Sequence, residues 1–209
     1  MLNGQHLWLT TSRCIFWEER RSLILSDLHF GKTGHFRKAG IPVPAQVYQE
    51  DLQRLWSMIQ YFQPEHIIFV GDLFHSKENL EHQLFEKWRN DHSRIKMHLV
   101  LGNHDILTMQ VYEQMGLQCY PEIMQMESFS FIHDGSQQEK TSNFYFTGHI
   151  HPGIRLEGSG KQTMKFPCYY FTENYAVLPA FSKFTGMALI QPEKTDEVFA
   201  IVDTSIIRV

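Results

Sequence analysis

Hydrophobic residues in this chain fall into two patterns. In the first they recur at three- and four-residue steps. Tyr48, Leu52, Leu55, Trp56, Ile59 and Phe62 share one apolar face and predict a helix that Pro64 stops. Leu80, Leu84, Phe85 and Trp88 predict a second helix ending near Asn90–Asp91, and a short third is expected near Thr108–Met115 with Gly116 as its cap. In the second pattern they form short runs of buried-strand type: Leu7–Leu9, Ile15–Glu18, Leu23–Leu25, Ile67–Val70, Met97–Leu101, Phe129–Ile132, Phe144–Thr147, Met164–Phe171, Met187–Ile190 and Val198–Val202. The front half alternates strand and helix, and the rear half is mostly strand. The expected class is α/β (α+β), with two mixed sheets packed face to face and flanked by helices. There is no repeat and no clear linker, so residues 1–209 are expected to form one domain. Residues 31–44 fit neither pattern: Gly31, Gly34, Gly40, Pro42 and Pro44 mark a loop that carries Lys32, His35, Arg37 and Lys38 and no acid.

Five of the runs end in metal-ligand residue types, at the strand ends where open α/β sheets place their ligand sites. Asp27 and His29, at i and i+2, would point to one side of a strand end and grip one metal. As a pair they read equally well as a turn. Gly71-Asp72 offers a carboxylate able to bridge two cations, or again a turn. In Gly102-Asn103-His104-Asp105 the Asn contributes an amide oxygen, and His104 has a neighbouring carboxylate that could orient it. The alternative is a polar turn in which Asn103 or Asp105 caps a helix. His133 alone is more often structural. In Gly148-His149-Ile150-His151, two imidazoles at i and i+2 can reach two adjacent metals. Together these residues suffice for two cations about 3.5–4 Å apart, an arrangement that activates water and clamps the attacking and leaving oxygens of a displacement at phosphorus.

Composition sharpens this reading. Twelve histidines against three cysteines direct metal binding to imidazole and carboxylate, which suits Mn, Fe or Zn in a catalytic site better than structural zinc. Cys14, Cys119 and Cys168 form no C-x-x-C pair and are expected to be reduced thiols. The chain lacks G-x-S-x-G and G-x-x-x-x-G-K-[ST], so neither a serine hydrolase nor a phosphate-loop nucleotidase competes. A net charge of −4 provides no general attraction for a polyanion, so any such contact must be local. Lys32, His35, Arg37 and Lys38 are the candidates for phosphates flanking the scissile one. The N-terminus has no signal-peptide pattern, and no apolar stretch approaches the roughly 18 residues of a spanning helix. A cytoplasmic protein without membrane contact is expected. Phe16, Trp17, Phe171 and Phe181 read as core rather than as an interface.

The ordered series Asp27-x-His29, Gly71-Asp72, Gly102-Asn103-His104-Asp105, His133 and Gly148-His149-x-His151 resembles the calcineurin-like metallophosphoesterase superfamily. That resemblance implies the superfamily's four-layer-type fold with the metal site at strand C-terminal ends. It also implies roles: Asp27, His29 and His151 hold one metal, Asn103, His133 and His149 the other, and Asp72 bridges. His104 would contact a phosphoryl oxygen or protonate the leaving group, with Asp105 orienting it. One departure is Asp134 between His133 and Gly135, where many members have His-Gly directly.

A narrower similarity runs through Leu28–Lys32, His35–Arg37, Ala39–Pro44, Pro167–Tyr170 and Leu178–Gly186. These segments are similar to the bacterial ligase-associated metallophosphoesterases. This implies a Mn-dependent phosphodiesterase or endonuclease acting on DNA or RNA, in DNA repair beside a ligase and a helicase. A phosphomonoesterase, a nucleotide-pyrophosphate hydrolase, and a non-catalytic metal-binding scaffold remain alternatives. Oligomeric state has no signature.

Overall fold

The computed structural model describes residues 1–30, 46–75, 79–136, 141–158 and 162–209, with the side chains of 46–49 and 79–81 excepted. Strands β1 (Leu7–Leu9), β2 (Ile15–Trp17), β3 (Ser22–Leu25), β4 (His66–Val70), β5 (Lys96–Val100) and β6 (Leu117–Tyr120) form a first sheet in chain order. β1 to β3 pair antiparallel, and β3 to β6 pair parallel. Helices α1 (Gln46–Phe62), α2 (Asn79–Asp91) and α3 (Met109–Gln114) lie in the crossovers that parallel pairing demands.

The second sheet has nine strands: β7 (Met124–Met126), β8 (Phe129–Phe131), β9 (Phe144–Thr147), β10 (Pro152–Glu157), β11 (Thr163–Phe171), β12 (Tyr175–Val177), β13 (Ala188–Leu189), β14 (Glu197–Val202) and β15 (Ser205–Arg208). Here β8, β9 and β12 are parallel neighbours.

The continuous apolar runs are explained by coverage on both faces. Leu23, Leu25, Ile67, Phe69, Met97 and Leu99 face the helices, against Leu55, Ile59, Phe85 and Tyr112. The alternating Ile24, Ile68, Val70 and Val100 face the second sheet, against Phe129, Phe131, Phe146 and Tyr169. Trp17 and Phe181 are fully buried and Phe16 nearly so, as expected of core residues, while Phe171 packs at the edge of the inter-sheet core. Cys14, Cys119 and Cys168 are free thiols. Among the described residues no helix is long and apolar enough to cross a membrane.

This is the expected pair of mixed sheets with helices, and the described helices pack on the first sheet. Five strands not predicted from the sequence, β6, β7, β10, β12 and β15, are short or mixed in polarity. β10 opens on Pro152, which lacks an N–H and is tolerated at a strand's first residue. For the site, one consequence matters. All five clusters follow parallel strands: β3, β4 and β5 in one sheet, β8 and β9 in the other. Their C-terminal ends therefore converge along one edge of the sandwich.

Candidate metal centre

The exits from β3 and β4 are zipped together by backbone hydrogen bonds. Asp27 N–H donates to Gly71 O (3.2 Å), His29 N–H to Asp72 O (2.9 Å), Phe30 N–H to Leu73 O (2.8 Å) and His75 N–H back to Phe30 O (2.8 Å). Asp27 and His29 do share a side, but not through strand pleating. Both have left-handed backbones, with φ of 56° and 49°, as do Asp72 (53°), His149 (69°) and His151 (50°). Each such non-glycine residue costs roughly 1–2 kcal/mol. Strain of this kind persists where surrounding structure over-determines it, and it gathers at functional sites.

Two groups of ligand atoms result. Those of Asp27, His29 and His151 lie within 4.8 Å of one another, and so do those of Asp27, Asp72 and His133. In the first, His151 Nε2 is 3.1 Å from Asp27 Oδ1 and 3.4 Å from His29 Nε2. In the second, His133 Nε2 is 3.4 Å from Asp72 Oδ1 and 3.2 Å from Asn103 Oδ1, which lies 3.0 Å from His149 Nδ1. All seven expected ligand residues are therefore brought together; Asp27 is common to both groups, whereas Asp72, the expected bridge, falls in the second group only. Burial is graded: Asp27, His29, Asp72 and His133 are buried, whereas Asn103 and His149 are exposed. Asn103 and His149 thus mark the solvent side of the cluster.

These residues fit divalent cations. Asp27 Oδ1 is fully buried with the ring nitrogens of His151 (3.1 Å) and His29 (3.9 Å) about it, a setting in which a buried carboxylate oxygen needs a cationic partner. His133 Nδ1 lies 2.9 Å from Val70 O, so Nδ1–H donates there and the Nε2 lone pair is turned toward Asp72 and Asn103. The donors are nitrogen and oxygen throughout, with no thiolate.

Burial opposes ionisation of Asp72, but His133 and the His104 amide hold its carboxyl down at about 2. Burial likewise opposes charge on His133, yet Asp72, Asp27 and the Val70 carbonyl raise it to about 9. Asp27 is lowered against its own burial, chiefly by His151 and His133. Without metal His133 thus keeps its proton, and an arriving cation would displace it.

The motif glycines are sterically required. A Cβ on Gly71 would strike the His133 ring, one on Gly102 the Asp72 carboxylate, and one on Gly148 would collide with Ser26 Oγ and lie 2.6 Å from Asp27 Oδ2.

Asp105 corrects an expectation. It does not orient His104. Its Oδ2 accepts from the amides of Asp72 (2.8 Å) and Gly102 (2.8 Å), and its Oδ1 from those of Leu73 (3.0 Å) and Phe74 (3.2 Å). Burial pushes this carboxyl up to about 7, while four N–H donors favour the carboxylate they surround. Asp105 therefore ties the β4 exit to the β5 exit. An Asp105→Asn protein would turn an NH₂ group toward one pair of amides in either orientation. It should lose about 2–4 kcal/mol of stability, because buried donors are left unpaired. Urea unfolding checks this, and a loss below about 0.5 kcal/mol would contradict it.

His104 is placed differently from the ligands. Its amide donates to Asp72 Oδ1 (2.9 Å), and its ring lies 5.5 Å from the His29 ring but joins neither ligand group. Two neighbours were missed from sequence. The His75 ring is 4.4 Å from that of His104 and 5.5 Å from that of His29, although its Asp-x-x-His spacing after Gly71 was visible. Ser26 Oγ is within hydrogen-bond reach of Asp27 Oδ2 (2.5 Å) and Val70 O (2.8 Å), and nothing in the sequence marks it. Lys32, His35, Arg37 and Lys38 lie outside the described residues.

A family model described as calcineurin-like phosphoesterase matches residues 20–168, a span that contains every cluster. The chain belongs to this family. Calcineurin-like phosphoesterases are hydrolases of phosphoester bonds that use divalent metals, and the cluster supplies ligands of the required kind. Among solved structures, the crystal structure of Pseudomonas putida nuclease MPE superposes with a TM-score of 0.81 at 27% identity, covering 95% of this chain and 94% of that one. A Streptococcus pneumoniae protein described as a predicted phosphoesterase aligns with a TM-score of 0.34 at 13% identity over 90% of this chain and 86% of that one, too low to carry an argument. No curated protein sequence matches the chain.

Proposed function

We propose that this phosphoesterase is a dinuclear-metal-dependent phosphodiesterase acting on nucleic acid. The observation that carries the reading is the double ligand cluster, with Asp27 common to its halves, Asp72 in the second, and His104 beside it but outside both groups. Two divalent cations there would supply Lewis-acid activation of water and neutralise charge at phosphorus. The residues do the rest. Asp27, His29 and His151 would hold one cation, Asn103, His133 and His149 the other, and Asp72 would serve both.

His104 faces substrate and is placed to stabilise a phosphoryl oxygen or deliver a proton to the leaving oxygen. The hydrogen bond from its backbone N–H to Asp72 ties it to the second ligand group. A nucleic-acid substrate is supported by the nuclease among the structural neighbours and by the similarity to ligase-associated metallophosphoesterases. The same similarity supports Mn as the metal and a setting in DNA repair beside a ligase and a helicase.

The test is a panel assayed with Mn²⁺ and with EDTA: a bis-aryl phosphodiester, an aryl monoester, a 2′,3′-cyclic nucleotide, and single- and double-stranded DNA. The diester and DNA should be cleaved with Mn²⁺ and not with EDTA. Turnover confined to the monoester, or rates indifferent to EDTA, would reject the reading.

A further inference from the structure

Behind Asp27, on the side away from the metal cluster, two arginines hold one short segment. Arg13 Nη1 donates to Ala180 O (3.2 Å) and Ser182 O (3.0 Å). Arg54 Nη2, from α1, donates to the carbonyl between them, Phe181 O. Three consecutive carbonyls are thus taken by two guanidiniums. The amides of the same segment point the other way. Phe181 N–H donates to Ser26 O (2.8 Å) and Ser182 N–H to Asp27 O (3.2 Å). The segment is a strap whose inner edge is bonded to the peptide groups on either side of the Asp27 Cα, the residue whose backbone is left-handed.

The strap's anchorage is built at a cost. Arg54 pairs with Asp51 (2.9 Å), whose carboxylate is buried and also takes hydrogen bonds from the Ser182 hydroxyl and the Lys183 amide. The Arg54 guanidinium lies 4.2 Å over the fully buried Phe181 ring. Its Nε and Nη1 are nevertheless buried with no hydrogen-bond partner among the described residues. Arg13 adds a second cation to the same pocket against the single carboxylate of Asp51. Burying two guanidiniums so incompletely paired is a poor way to gain stability, and an apolar contact of equal volume would do as well. What an apolar residue could not supply is directional donors to three successive carbonyls.

We propose that Arg54 and Arg13 are positioning residues for the metal site: through the 180–182 strap they hold Ser26-Asp27 in the strained conformation that presents Asp27 to the cations. The proposal rests on the two-metal reading above. Were the strap slack, Asp27 would relax toward an ordinary backbone and its carboxylate would leave both ligand groups.

Two readouts on metal-free and Mn²⁺-titrated protein test this, using Arg54→Lys and Arg54→Gln in the full chain. The first is amide hydrogen exchange without metal. Phe181 and Ser182 and the peptide through Asp27 should lose protection in the order Arg, Lys, Gln, while β14 keeps its own. The second is Mn²⁺ binding by calorimetry, in which affinity should fall by about 10–100-fold, the usual effect of losing a group that orients a ligand. Val198→Ala, a cavity on the outer face of the second sheet, is the control. It should lower stability and leave exchange at 181–182 and Mn²⁺ affinity unchanged.

Unchanged exchange in the Arg54 variants overturns the proposal whatever the metal does. So does a Val198→Ala protein that loses Mn²⁺ affinity equally. A wild-type protein that binds no Mn²⁺ overturns the two-metal reading instead. If neither Arg54 variant folds, Arg13→Lys, whose side chain holds the same strap, is read by the same criteria.

Discussion

Replacing Asp72 by Asn should abolish Mn²⁺-dependent diester hydrolysis by at least about 10³-fold, at the upper end of what loss of one group stabilising transition-state charge produces. It should also lower the metal retained after gel filtration from two ions per chain to one or none. Asp72 is nearly fully buried, and its carboxyl is held at about 2, so it is anionic at every working pH. Asn matches its size and keeps one oxygen able to accept the His104 amide, so the fold should survive. The second oxygen becomes an NH₂ that presents hydrogens where a cation would sit. Metal content by elemental analysis, read beside the thermal midpoint, separates loss of the site from loss of the fold. An Asn variant that carries two Mn²⁺ ions at the wild-type rate would refute Asp72 as the bridge.

The ligand set was legible in the sequence because ligand identity is local. An imidazole or carboxylate at the exit of an apolar run needs no tertiary information to be noticed, and five such exits in one order constrain each other. The geometry that brings these candidate ligands together was not legible. The pairing of Asp27 with His29 was assigned to strand alternation, whereas the chain achieves it with left-handed residues at both positions. Nothing in Asp-Leu-His announces a positive φ, since the backbone bonds that enforce it come from Gly71, Asp72 and the 180–182 strap. Asp105 failed for the same reason. Adjacency to His104 suggested a partner, but at a helix-like turn a neighbour's side chain can point elsewhere, and four amides from two loops claim it. Ser26, Arg13 and Arg54 act across separations of 44 to 169 residues, which no local pattern encodes. The fold class was accessible because both sheets bury both faces of their central strands. The missed strands β6 and β12 are three- or four-residue additions whose pairing, not composition, makes them strands.

These gaps share a cause. Each ligand loop has its side chains in the cluster and its backbone held by a different part of the chain: Asp105 clamps the β4 and β5 exits, the Val70 carbonyl fixes His133, and the strap fixes Asp27. A cluster of strained residues needs such external restraint, because five left-handed positions would otherwise relax. The restraint also explains why the glycines of Gly71-Asp72, Gly102-Asn103 and Gly148-His149 admit no side chain. The loops are pressed against one another so closely that an added Cβ would meet a neighbouring side chain.

Replacing His104 by Ala should leave both metals bound and cut hydrolysis of an unactivated diester by about 10²–10⁴-fold, the range expected for loss of a general acid or base. His104 belongs to neither ligand group, and the proposed roles leave its side chain outside the set that holds the cations. Its backbone amide supplies the bond to Asp72 (2.9 Å), and Ala keeps that amide. The variant therefore removes an imidazole and little else. The leaving group then decides between its two possible roles. If His104 delivers a proton, the loss should be large for a nucleoside or alkyl leaving group and small for a nitrophenolate, which departs without protonation. If it stabilises a phosphoryl oxygen, both substrates should suffer alike. A His104→Ala protein with its metals in place and a wild-type rate on both would show that the ring beside the cluster takes no part in the chemistry.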